Sequence, residues 1–180
     1  MRSKRDQIIA AALNRYREAG LGGSTLKDVA EASGVPLGNL YYYFRTKDEL
    51  VVAVLEACEQ ELLTLLGELA PLPPRAWLER YFEWLLQDPA AAARLGCPFG
   101  SLAAELRALG DPAAPRAAAM VQRYYDAVRA QGAALSGGPG AIEELFMAVQ
   151  GTYVVARILG NPPLFQAQIG QLRERFLGRA

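Results

Sequence analysis

The sequence contains no histidine. This absence excludes catalytic triads and general bases that depend on imidazole, and it excludes every metal site that needs a histidine ligand. The chain has two cysteines, Cys58 and Cys97, which cannot complete a structural zinc site or form a disulfide framework. We therefore expect no metal, no cofactor and no enzymatic activity.

Long apolar runs and a net charge are missing as well. No stretch approaches the roughly 20 apolar residues that cross a bilayer, and the first residues lack the apolar core of a signal peptide. We therefore expect a cytoplasmic protein without membrane contact. The formal net charge is +0, but all three lysines (Lys4, Lys27 and Lys47) lie within residues 1–50. A local basic patch can contact phosphates even when the whole chain is neutral.

The spacing of apolar residues predicts an all-α protein, because no segment alternates apolar and polar residues as a strand would. A proline-rich segment at 71–74 interrupts the helical pattern and marks a joint. We expect nine helices, at about residues 3–19, 26–34, 36–43, 47–67, 75–87, 99–109, 111–131, 141–159 and 163–177, with 88–98 irregular or partly helical.

Two short helices near the amino terminus are separated by a turn that contains Gly34, which is the arrangement of a helix-turn-helix. The second of them carries Tyr41, Tyr42 and Tyr43. Tyrosine hydroxyls can bond to phosphates, their rings can contact thymine methyl groups, and Asn39 can pair with an adenine edge. This helix is therefore predicted to contact DNA, and the alternative is that Tyr42 or Tyr43 packs inside the small domain.

Residues beside these tyrosines favour the same interpretation. Gly38 lets the backbone approach a DNA groove closely. Lys47 stands in the first turn of the following helix, where backbone amides and an ammonium can hold a phosphate together. Lys27 is a further basic candidate, although a merely solvated lysine would give the same pattern.

Residues 24–50 resemble the DNA-binding domain of TetR-family regulators. They contain a threonine cap at Thr25 and a turn similar to the Ala-x-x-Ala-Gly-Val of the family. The pattern Leu40-Tyr41-x-x-Phe44 follows, and after it comes a capped helix that bears a lysine. The resemblance implies a nine-helix regulator with a three-helix DNA-binding domain at 1–46 and a helical effector-binding and dimerisation domain at 47–180.

The resemblance also implies a role for each matching residue. The sequence departs from the pattern at Pro36, where a serine or threonine is common, and at Tyr43, where histidine is frequent. Phosphate contacts are assigned to Thr25, Tyr41, Tyr43 and Lys47, and groove contacts to Lys27, Leu37, Gly38, Asn39 and Tyr42, with Pro36 at the start of the same helix.

The segment from Gly96 to Leu106 resembles a Gly-Cys-x-x-Gly-x-Leu-Ala-x-Glu stretch in some TetR-like regulators, several of which respond to electrophiles or oxidants. Cys97 precedes a proline and a predicted helix start, where the helix dipole favours a reactive thiolate. The alternative is that Cys97 is a small buried apolar residue, as free cysteines commonly are. Cys58, on an apolar helix face, is expected to be a core residue.

Aromatic side chains in the second part of the chain are candidates for an apolar effector pocket. The same side chains would serve equally well as ordinary core residues. We predict effector contacts from Trp77, Tyr81, Cys97, Phe99, Tyr124, Phe146 and Tyr153, with Glu105 and Arg157 as polar anchors.

The predicted helix at 141–159 is apolar on nearly all sides, so it must be buried on more than one side. We expect a second subunit to cover it, because the last predicted helix adds another apolar stripe that includes Phe165 and Ile169. The alternative is a central helix enclosed in a monomer.

These patterns predict a homodimeric, sequence-specific DNA-binding transcriptional regulator. We expect a repressor that leaves a palindromic operator when a small apolar or aromatic effector binds or, by a second route, when Cys97 is modified. Activation instead of repression stays open. The alternative outside this class is a carrier protein that binds a small molecule and has no role on DNA.

Overall fold

A computed structural model describes residues 3–131 and 139–178. These residues form ten helices and no strand. The nine predicted helices are present, and the tenth is a short helix inside the segment expected to be irregular or partly helical. The helices are α1 (Lys4–Ala19), α2 (Leu26–Ser33), α3 (Leu37–Tyr43), α4 (Lys47–Leu69), α5 (Pro74–Leu85), α6 (Pro89–Leu95), α7 (Gly100–Ala108), α8 (Ala114–Arg129), α9 (Pro139–Leu159) and α10 (Pro162–Leu177).

Polar side chains fix the starts of several helices. Ser3 caps α1 by accepting the Asp6 N–H at 3.1 Å. Asp88 caps α6 through the Ala91 N–H at 2.8 Å, and Asn161 caps α10 in the same way. Such caps satisfy amide groups that have no partner within the helix, so these starts follow from local sequence.

The chain divides into two compact units. The first contains the described residues up to Glu61 together with Phe99–Met120, and the second contains Leu62–Pro98 and the described residues from Val121 onward. The predicted division at 46/47 separates the chain by function, and it stays a prediction.

In the first unit, α2 packs against both α1 and α3, and α7 contacts α1. The side chains that fill its interior are apolar and fully enclosed, with 0% exposure for Ile8, Ala12, Val29, Leu40 and Leu50. Their burial is the main force that holds three short helices together, since hydrophobic burial is the dominant favourable term in folding.

In the second unit, α10 packs against α5, α6 and α9, and α6 packs against α9. Its core side chains include Leu78, Phe82, Leu145, Phe165 and Ile169, each at 0% exposure.

Helix α9 buries one side and exposes the other. Ile142, Leu145 and Val149 are fully buried on its inner side. The single chain therefore does not enclose the helix, contrary to the alternative of a central helix in a monomer. Its exposed apolar side chains are Met147, Val154, Val155, Ile158 and Leu159.

None of the described helices is long and apolar enough to cross a membrane. Across the same residues, no group of three or more His, Cys, Asp or Glu side chains is placed to hold a metal ion.

Two glycines predict opposite effects of the same substitution. Gly34 ends α2 in the left-handed conformation at φ 66°, so Gly34→Ala should lower the free energy of unfolding by about 1 to 2 kcal/mol. Gly67 lies inside α4 with open space around it, so Gly67→Ala should raise that free energy by about 0.5–1 kcal/mol. Urea unfolding at one fixed protein concentration measures both changes, and a common sign would contradict the assignment.

Candidate nucleic-acid interface

Helices α2 and α3 form the predicted helix-turn-helix. Gly34, Val35 and Pro36 separate them, and the left-handed Gly34 turns the chain while its N–H bonds to the carbonyls of Ala30 and Glu31. The Val35 side chain is 5% exposed. The turn is thus pinned by an apolar contact as well as by its backbone hydrogen bonds.

The start of α2 is held by a complete capping box. The Thr25 hydroxyl accepts the Asp28 N–H at 3.2 Å, and the Asp28 carboxylate accepts the Thr25 N–H at 2.7 Å. The hydrogen bond from the Thr25 backbone, followed by the one from its hydroxyl, holds the pKa of Asp28 below its usual value. Thr25 and Lys27 both lie exposed at this end of α2.

The outer side of α3 is aromatic and open to solvent. Leu40 is 0% exposed, whereas Tyr41 is 47%, Tyr42 83% and Tyr43 36% exposed. The rings of Tyr42 and Tyr43 stand edge to face with centroids 5.2 Å apart. The alternative in which Tyr42 or Tyr43 packs inside the domain is therefore wrong.

The remaining residues predicted on this helix are also at the surface. Pro36, Gly38 and Asn39 are exposed, and Leu37 is half-buried. Every residue predicted to face the DNA groove is thus accessible to a large partner.

Lys47 begins α4 and is half-buried. Its Nζ donates to the carbonyl of Leu21 at 2.5 Å, across 26 residues of sequence. The start of α4 is capped by Thr46, whose hydroxyl accepts the Glu49 N–H at 3.1 Å. The Glu49 carboxylate accepts the Arg45 N–H at 2.7 Å, one residue before the position that a regular capping box would use.

The structure places Glu105 on the loop between α1 and α2. Its Oε1 accepts the N–H groups of Leu21 and Gly22. Sequence analysis missed this contact and assigned Glu105 to effector binding, because a bond across 84 residues leaves no local pattern.

The predicted effector residues are buried. In the second unit, the Tyr81 ring lies 5.3 Å from Trp77 and 6.3 Å from Tyr124, and Tyr124 lies 5.1 Å from Phe146. Tyr153 contacts Phe165 at 4.7 Å. Phe99 is fully buried in the first unit. The structure therefore brings Trp77, Tyr81, Tyr124 and Phe146 into one cluster.

The polar groups inside this aromatic cluster bond to each other. The hydroxyls of Tyr81 and Tyr124 lie 2.6 Å apart. Burial raises the pKa of both tyrosines, and the neighbouring Cys97 adds to both shifts. Both hydroxyls are therefore neutral donors and acceptors at ordinary pH.

The two cysteines are free thiols, with Cys58 1% and Cys97 5% exposed. Burial raises the pKa of Cys58 to about 12, so that this thiol stays protonated at neutral pH. Cys58 is thus the core residue that was expected. Cys97 is enclosed as well, which favours its interpretation as a packed apolar residue.

The sequence was compared with known families and curated proteins. Residues 8–54 match the family described as bacterial regulatory proteins, tetR family. The HTH-type transcriptional regulator RutR of Escherichia coli K12 is 33% identical over 99 residues, covering 53% of this chain and 47% of RutR. The aligned part thus spans about half of that relative.

Solved structures match over nearly the whole chain. A TetR-family transcriptional regulator from Agrobacterium tumefaciens superposes with a TM-score of 0.78 at 24% identity, covering 96% of this chain and 97% of that one. The MbdR regulator from Azoarcus sp. CIB gives a TM-score of 0.77 at 21% identity, covering 99% and 100%.

The helix-turn-helix of α2 and α3 lies within the residues that match the family, and the fold agrees beyond them. The chain therefore belongs to the TetR family.

Proposed function

We propose that this protein is a homodimeric, sequence-specific DNA-binding transcriptional repressor in the cytoplasm. The observation that carries the proposal is the outer side of α3, where three exposed tyrosines and Asn39 stand on a helix anchored by the fully buried Leu40. Exposed aromatic side chains are unfavourable in water unless a partner covers them, and a DNA major groove admits a helix of this kind.

The accessible side chains divide into two chemical classes. Thr25, Tyr41, Tyr43 and Lys47 present hydroxyls or an ammonium, which suit phosphate oxygens and position the protein. Asn39 presents an amide that can bond twice to an adenine edge and thereby specify sequence. Lys27, Leu37, Gly38 and Tyr42 supply the remaining groove contacts, with Pro36 at the rim.

A second copy of the chain is the proposed partner of the exposed side of α9. Ile158 is 75% and Leu159 62% exposed, values that a lone soluble chain does not favour for two adjacent large apolar residues. Between α9 and α10 lies a groove of about 340 Å³ whose lining includes Gly151, Leu164 and Leu172. Small residues at such a groove let a partner helix approach closely, and the two-fold symmetry of a dimer matches a palindromic operator.

The aromatic cluster of the second unit is the proposed effector site. Trp77, Tyr81, Tyr124, Phe146 and Tyr153 provide apolar rings, and the Tyr81–Tyr124 hydroxyl pair provides the polar group that can orient a ligand. Phe99 and Cys97 complete the proposed set, with modification of Cys97 as the second route to release. An effector releases the operator only if it binds better to a form of the dimer with weaker DNA affinity.

A carrier protein without a role on DNA is the competing proposal. The buried aromatic residues favour it as much as they favour a regulator, but it gives no function to the exposed tyrosines of α3.

Selection of duplexes from a random-sequence library by the purified protein, at one stated salt concentration, separates the two proposals. Recovery of a palindromic sequence bound by an even number of subunits is the expected result. Failure to enrich any duplex at low or physiological salt would overturn the regulator and leave the carrier.

Substitutions at Asn39 and Lys47 should have different consequences. Asn39→Ala should weaken binding to the selected duplex by about 1–3 kcal/mol while leaving binding to a shuffled duplex unchanged. Lys47→Ala should weaken both and lower the slope of log affinity against log salt by about 1. Titrations at several salt concentrations measure both quantities, with Arg107→Ala of α7 as an exposed cationic control. Equal losses on both duplexes for both variants would refute this division.

A charge on the exposed side of α9 should separate the subunits. Ile158→Glu buries a carboxylate at the proposed interface, so sedimentation equilibrium should give the monomer mass, and affinity for the palindromic duplex should fall with it. The matched control is Leu109→Glu, which changes a 55% exposed leucine of the first unit and should leave the dimer intact. A dimer that persists in the Ile158→Glu protein would place the interface elsewhere.

A further inference from the structure

The peptide group between Leu21 and Gly22 lies between two charged side chains. Its carbonyl accepts from Lys47 Nζ at 2.5 Å, and its N–H donates to Glu105 Oε1 at 3.2 Å. The same Oε1 also accepts the N–H of Leu21. Lys47, Glu105 and the loop all belong to the first unit, so that the three groups form one connected network.

Each bond in this network strengthens the other. Hydrogen bonds to an ionised partner are roughly twice as strong as neutral ones, and a peptide polarised at its N–H by a carboxylate is a better acceptor at its carbonyl. Two successive N–H groups also form a concavity that suits an anion. The Glu105 carboxylate therefore favours the position of the Lys47 ammonium through the peptide, without contact between the two charges.

The loop is shaped around the carboxylate. Gly20 has φ +83°, and a Cβ built on it would lie 2.9 Å from Glu105 Oε1. Leu21 is 3% exposed and Ser24 is 1% exposed, and the Ser24 hydroxyl donates to the Gly20 carbonyl at 2.7 Å. The backbone is thus fixed on both sides of the peptide that Lys47 binds.

Lys47 keeps capacity for a further partner. An ammonium has three N–H donors, and the bond to Leu21 uses one of them. A free lysine loses considerable rotamer freedom when it binds a phosphate. An ammonium already held by the loop has lost much of that freedom beforehand.

We propose that Glu105 is a positioning residue for DNA binding, which acts through the Leu21–Gly22 peptide to hold the Lys47 ammonium where a DNA phosphate meets it. The inference rests on the proposed function, since it concerns the DNA affinity of Lys47. A purely electrostatic role predicts the opposite sign, because removing a carboxylate near DNA strengthens binding. A purely structural role predicts lower stability that is independent of Lys47.

A double-mutant cycle on DNA affinity tests the proposal. The variants are Glu105→Ala, Lys47→Ala and the double variant, and the probes are the selected duplex and its shuffled counterpart at several salt concentrations. Glu105→Ala should weaken binding to both duplexes about tenfold, and Glu105→Gln, which keeps an oxygen acceptor without the charge, should weaken it less. In the Lys47→Ala protein, Glu105→Ala should change affinity less than about twofold, because residues in one network are not additive.

The matched control is Glu31→Gln, which removes an exposed carboxylate of α2 that takes no part in these loop bonds. Its DNA affinity should stay the same or rise. Amide hydrogen exchange of Leu21 and Gly22 should accelerate in Glu105→Ala and not in Glu31→Gln. If Glu105→Ala does not fold, Glu105→Gln takes its place in the cycle.

Additive losses from Glu105 and Lys47, or a gain of affinity on removing Glu105, would overturn the positioning role while leaving the regulator intact. A wild-type protein that enriches no duplex would overturn the proposed function and this role together. These outcomes are distinguished by the wild-type titration alone.

Discussion

The burial of Leu40 is the interaction on which the DNA-facing surface depends. Helix α3 has 7 residues, and an isolated helix of that length is unstable in water, because the cost of nucleation exceeds what a few hydrogen bonds return. Tertiary packing must hold it, and Leu40 at 0% exposure provides that anchor. Since one side of so short a helix faces inward, the adjacent tyrosines are directed to solvent. Stability and recognition are therefore divided between opposite sides of two turns of helix.

The loop before α2 shows how distant residues complete a local motif. The capping box of Thr25 and Asp28 fixes where α2 begins, but nothing local satisfies the amides of Leu21 and Gly22. A carboxylate from α7 and an ammonium from α4 do so instead. Buried polar groups are costly without partners. The long-range bonds thus convert a glycine-rich loop, which would otherwise be flexible, into a fixed entry to the helix-turn-helix.

The second unit is organised by the same requirement. Two tyrosine hydroxyls inside an aromatic cluster bond to each other at 2.6 Å, which leaves the cluster apolar toward its surroundings. Helix α9 reconciles two demands on one sequence, because its inner side fills the core of the unit and its outer side stays apolar and open. A helix of this composition is stable in water only when something covers the outer side, and a second copy satisfies that demand by symmetry.

The sequence by itself determined the helical class, the helix-turn-helix at α2 and α3, the caps, and the set of residues exposed on α3, because periodicity, capping and glycine-containing turns are local properties. It did not determine α6, a helix of 7 residues whose alanine-rich sequence has little amphipathic pattern. It also did not decide whether Tyr42 and Tyr43 pack inward, whether α9 is enclosed, or what Glu105 contacts. Only the tertiary structure decided these points, because each depends on partners that are distant along the chain, and sequence spacing carries no information about which distant groups meet.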